Sequence, residues 1–104
     1  MRTLTELLKT NEKVFIRLAS DNLKQKFMQQ AEDEGFVYRS KNPTESQAES
    51  VMIIHADYTL GTLVGMATHM HYHYCPKEMR IDYARYINGL DDYYYNIKQE
   101  GFLC

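Results

Sequence analysis

Leu23, Phe27 and Ala31 recur every four residues, with Met28 beside them, between Ser20-Asp21 and Gly35. That stripe defines a helix with one buried face. A side chain able to satisfy free amides opens it, and a glycine suited to the left-handed conformation closes it. Short apolar runs flank the helix: Val14-Phe15-Ile16 with Leu18 on one side, Val51 to Ile54 on the other. Both have the length of buried strands, and the Val14 run reads as a central one. A helix between strands, followed by further strands, predicts an α+β fold.

The remaining chain fills in that frame. Thr3-Leu4-Thr5-Glu6 reads as the capping box of a short N-terminal helix whose apolar side is Leu4, Leu7 and Leu8. Phe36-Val37-Tyr38 reads as a strand, and Pro43-Thr44-Glu45 as a helical turn opened by proline. Ala56 to Thr59 forms a turn, and Leu60 to Tyr74 a long strand. Cys75 to Glu78 is a second turn, because proline interrupts a ladder, and Met79 to Tyr83 returns as a strand. Ala84 to Leu90 forms a short helix or a turn around Asn88-Gly89. The expectation is a single α+β domain over 1–104, with a mixed or antiparallel sheet of about five strands. One main helix and a short N-terminal helix pack on it.

Size and charge narrow the function. The chain has 104 residues, 25% of them charged, and a formal net charge of -2. A general nucleic-acid binder is normally basic, so direct nucleic-acid binding is not expected. No apolar run is long enough to span a bilayer, and no secretory leader is legible, so a cytoplasmic protein is expected. Cys75 and Cys104 could pair, but nothing else suggests a disulfide framework, and a reducing compartment is the simpler reading. Nine tyrosines and no tryptophan suit contact surfaces, where tyrosine brings area and a polar tip, and equally suit half-buried strands.

His69-Met70-His71-Tyr72-His73-Tyr74-Cys75 is the most conspicuous constellation. On a strand, His69, His71, His73 and Cys75 share one face. Two neighbouring imidazoles on such a face can lean onto one zinc ion. If Tyr74 pairs with Met79, Asp82 falls opposite His71, giving a candidate zinc set of His69, His71, His73 and Asp82. The outer histidines, roughly 13 Å apart along a strand, cannot both join without leaning. The same arithmetic describes an antiparallel sheet with one solvated face. A Cys75/His73 nucleophile lacks a direct hydrogen bond and a nearby oxyanion turn. Gly61, Gly65 and Ala67 mark close packing or a bulge, since no phosphate-loop pattern surrounds them.

Glu32-Asp33-Glu34 closes the main helix, and Asp91-Asp92 precedes Tyr93-Tyr94-Tyr95. Clustered carboxylates can occupy a basic groove through complementary potential, and adjoining tyrosines can serve as buried anchors. Acidic runs also simply keep a surface soluble. These eight residues are the candidate partner-binding surface, with no catalytic residue and no cofactor expected.

Three stretches, Leu4 to Ile16 (LTELLKTNEKVFI), Lys26 to Phe36 (KFMQQAEDEGF) and Arg80 to Tyr95 (RIDYARYINGLDDYYY), carry a resemblance. They resemble small accessory proteins of Gram-positive bacteria, their phages and conjugative elements, a group whose similarly sized members include type II anti-CRISPR proteins. The resemblance implies a non-enzymatic inhibitor whose protein partner is a CRISPR effector nuclease. The alternative from the residues is a metal-binding domain or small metal-dependent hydrolase built on the histidines.

Overall fold

The structure, a computed structural model, describes residues 2–95; Cys104 lies outside the described residues. The chain runs α1 (Leu4–Leu7), β1 (Lys13–Arg17), α2 (Asp21–Asp33), a 3-10 turn (Pro43–Glu45), β2 (Val51–His55), β3 (Leu60–Thr62), α3 (Met66–Tyr74), a second 3-10 turn (Lys77–Met79), β4 (Arg80–Asp82) and α4 (Tyr83–Ile87). The fold is α+β. Among the described residues the sheet is mixed, with four strands in the order β3-β2-β1-β4, one fewer than expected. β1 is interior: it pairs antiparallel with β2 and parallel with β4.

Alternation along β1 gives the sheet two covered faces. Val14 and Ile16 look one way, with Met52, Ile54 and Ile81, into the larger core. There they meet Phe27, Met28 and Ala31 of α2, Leu4 and Leu7 of α1, and Tyr83 and Tyr86 of α4. The stripe legible in the sequence is thus the buried face of α2. Ser20 caps that helix by accepting from the Leu23 amide at 3.2 Å, and Gly35 leaves it at φ 92°. Phe15 looks the other way and is sealed by Val51, Ile53, Tyr72 and Cys75. Gly61 packs closely on this side: a Cβ there would stand 3.1 Å from Nε2 of His55, so that ring would have to shift by a few tenths of an ångström.

Two expectations about strands fail. Phe36 to Tyr38 forms only isolated bridges, from Val37 to Thr59 and from Tyr38 to Lys41. The long strand from Leu60 stops at Thr62, and α3 replaces the rest. Topology explains the second. β3 lies at one edge of the sheet and β4 adds beside β1, so the chain must cross the face of β2 and β1. A hairpin cannot make that crossing; Gly65, at φ 83°, turns the chain and a nine-residue helix makes it. The burial pattern agrees with a helix: Tyr72 is buried while Met70 and Tyr74, its strand-face companions, are exposed.

Candidate interaction surface

The acidic cluster at the end of α2 is largely consumed by the fold. The Glu34 carboxylate accepts from the amides of Leu4 and Thr5, each at 2.9 Å, from the Thr5 hydroxyl at 2.8 Å and from the Gln30 amide at 2.8 Å. It therefore satisfies the first free donors of α1, whose other cap is Thr3. Glu32 does the same for the Pro43–Glu45 turn, accepting from the Thr44 amide and hydroxyl. Asp33 is exposed and accepts only a local bond from Gln29. Two of these three carboxylates thus serve as structural clips within the fold, and Asp33 alone stands clear of them.

Asp91 and Asp92 do project into solvent, but each has a guanidinium alongside: Arg2 at 3.9 Å and Arg85 at 3.9 Å. Arg2 is itself engaged, donating to the carbonyls of Leu90 at 2.7 Å and Tyr86 at 3.3 Å and so closing the C-terminal end of α4. Its guanidinium stacks on Tyr93 and Tyr86, 4.9 and 5.3 Å from the ring centroids. The three tyrosines are half-buried. Tyr93 accepts from the Asp82 amide at 2.7 Å and Tyr95 donates to Arg80 at 2.8 Å, so the segment runs antiparallel beside β4. Tyr94 lies under Lys77, and Tyr95 under Arg17. They finish the sheet edge and leave only part of each ring available.

The histidine set changes geometry entirely. On a helix His69 and His73 lie one turn apart, whereas His71 points away from them. His71 rests edge-on against Phe15 at 5.4 Å. Asp82 is not opposite it: β4 pairs with β1, setting Asp82 beside Arg17. The Asp82 carboxylate caps α4 through the Ala84 amide at 3.2 Å and pairs with Arg85 at 3.8 Å. Among the described residues, no group of three or more His, Cys, Asp or Glu is placed to hold a metal ion. Cys75 is buried; burial pushes its thiol up, opposed by the nearby Arg80.

What the sequence reading missed is the outer face of α3. Met66, Met70 and Tyr74, four residues apart, are 78%, 53% and 66% exposed, and Val64 just before them is 68% exposed. They form one apolar stripe with His69 and His73 along its side. Apolar groups gathered in a contiguous patch are characteristic of contact sites. A sequence signal for it exists: from Tyr58 to Pro76 there is no Asp, Glu, Lys or Arg. The cores of interfaces are depleted in charge in the same way. A groove of about 460 Å³ adjoins Val64, floored by Val51 and Leu63 with Arg39 and Glu49 at its rim. A second groove, about 380 Å³ between α2 and the 43–48 segment, is polar; its Asp21 and Lys24 pair with each other at 3.5 Å.

Comparison with protein-family models, curated proteins and solved structures gives no match to this chain. Among the described residues no helix is long and apolar enough to cross a membrane.

Proposed function

We propose that this protein is a non-enzymatic interaction module of a mobile genetic element, acting in the cytoplasm by contact with other polypeptide chains. The observation that carries this reading is the uncharged, exposed stripe of Val64, Met66, Met70 and Tyr74 on α3. Methionine suits such a role because its unbranched, polarisable side chain adapts to an opposing surface. Glu32, Glu34, Arg80 and Asp82 are each engaged in closing a helix or turn end. The exposed carboxylates of Asp91 and Asp92, each with an arginine alongside, form a separate polar corner.

The resemblance to phage and conjugative-element proteins makes a CRISPR effector nuclease the target to assay first. Nuclease cleavage is measured with the wild-type chain, with Met70→Glu and with Asp91→Lys/Asp92→Lys. Loss of inhibition in either variant, with unchanged circular dichroism, supports the reading and says which surface meets the target. Cleavage unaffected by the wild-type chain sinks the inhibitor assignment.

A further inference from the structure

We infer that the groove between Arg39 and Glu49 is a binding site for a free amino acid with an apolar side chain. The inference goes beyond the interaction reading above and stands without it. The chemistry of the lining is the first argument. The groove holds about 460 Å³, within the range of small-molecule sites. Val51 and Leu63 floor it, Val64 continues the apolar wall, and Thr62 adds a hydroxyl. Arg39 and Glu49 bring opposite charges to the rim, and neither has an ion-pair partner among the described residues. In the polar groove beside α2, by contrast, Asp21 and Lys24 neutralise each other at 3.5 Å. An apolar amino acid carries the matching set: a carboxylate for the guanidinium, an ammonium for Glu49 and a hydrocarbon chain for the floor. A simple anion is opposed by Glu49, a simple cation by Arg39, and a hydrocarbon leaves both charges unanswered.

The second argument is the backbone that presents Arg39. Arg39 and Ser40 are the central residues of a tight turn, closed by mutual bonds of 2.9 and 3.0 Å between Tyr38 and Lys41. Their φ angles are 53° and 63°. A turn with both central residues at positive φ favours Asn-Gly, because larger side chains are strained there. Strain of this kind gathers at ligand clamps, where a side chain is kept for its contacts. Arg39 is also held in place. Its guanidinium lies over the ring of Tyr38, 5.0 Å from the centroid, and Tyr38 is itself buried. The facing wall is fixed as well, since the Ser50 carbonyl beside Glu49 accepts from the Leu18 amide at 2.7 Å. Groups already fixed lose little freedom on binding. Both charges serve one groove, which suits a free amino acid, whose ammonium and carboxylate share a single carbon. In a peptide the two ends move apart by up to about 3.3–3.6 Å per residue.

An open groove with exposed charges implies an affinity on the order of millimolar. Amide NMR of the tag-free full chain, titrated with L-leucine from about 0.1 to about 20 mM, brackets that affinity and tests the inference. Saturable shifts are expected at Arg39, Glu49, Thr62 and Leu63. Leucinamide lacks the carboxylate and N-acetyl-leucine lacks the ammonium, so each should bind at least about fivefold more weakly. Arg39→Asn should abolish the preference for leucine over leucinamide, and Glu49→Gln the preference over N-acetyl-leucine. Asparagine tolerates positive φ, so Arg39→Asn keeps the turn and removes the guanidinium. Both positions are exposed, and the amide spectrum itself reports that each variant is folded. No saturable shift up to the highest concentration overturns the inference, as does equal binding of leucine and either derivative. Variants that bind leucine as the wild type does also overturn it. Trileucine binding more tightly than leucine overturns the free amino acid as the occupant.

Discussion

The guanidinium of Arg80 donates to the carbonyl oxygen of Cys75 at 2.8 Å, buried at the point where α3 ends. The same nitrogen reaches the carbonyl of Tyr72 at 3.1 Å, and Nε reaches that of Tyr95 at 3.3 Å. The last carbonyls of a helix lack intrahelical partners and carry partial negative charge. A buried cation is expensive unless its donors are satisfied. Here both needs are met by one side chain, which holds α3 to the sheet from β4.

Arg80→Met keeps most of the volume and leaves those carbonyls unpaired. Hydrogen bonds from charged donors contribute about 1.5–3 kcal/mol, so a loss of that size is expected in urea unfolding. Arg80→Lys should recover only part of it, since an ammonium cannot reach all three oxygens with a planar fork. Full stability in Arg80→Met would show that packing alone seats α3.

Glu34→Ala should loosen α1 before anything else. The change frees the amides of Leu4 and Thr5, and an N-terminal cap contributes about 0.5–2 kcal/mol. Hydrogen exchange is the measurement: the amides of residues 4–7 should lose protection while those of β1 and β2 keep theirs. Unchanged protection in α1 would place its stability in Leu4 and Leu7 instead.

Tyr83 gives an alkaline limit. Burial, then the Glu34 charge, pushes its phenol up to about 12. In the unfolded chain it ionises near 10, so its contribution is complete below pH 10 and is lost as pH rises from 10 toward 12. Melting temperature against pH should fall across that window, and Tyr83→Phe should make the fall shallower. At neutral pH the same variant loses the 2.6 Å bond to Gln30, about 0.5–1.5 kcal/mol.

His55 acts at the acid end. Burial first, and then the neighbouring Lys13 charge, lowers its pKa below the ordinary 6.5, with Asp57 opposing. The folded state favours the neutral ring, so its contribution is present above pH 6.5 and is lost as pH falls through the lowered value. His55→Gln should flatten the acid limb of the stability curve; an unchanged limb would place that titration elsewhere.

Elements set by local chemistry were legible from the chain alone. The Leu23-Phe27-Ala31 stripe, the serine cap and Gly35 specify α2 without reference to anything distant. The apolar run at Val14 defines an interior strand, because both of its faces need cover. The histidine run misled for the opposite reason: residue types alternate there with period two, but burial does not.

What the sequence determined by itself was the α+β class, the main helix with its caps, the two interior strands and the turns at Pro43 and Asp57. Tertiary structure alone decided that β4 joins β1 in parallel and that α3 crosses the sheet to reach it. It also decided that Glu32, Glu34, Arg2 and Arg80 spend their charge on the ends of distant elements. Caps and stripes act over one or two turns of chain, so their residues announce them. The partner of a carbonyl or a carboxylate in these clips lies dozens of residues away in several cases, and only the folded path brings the two together.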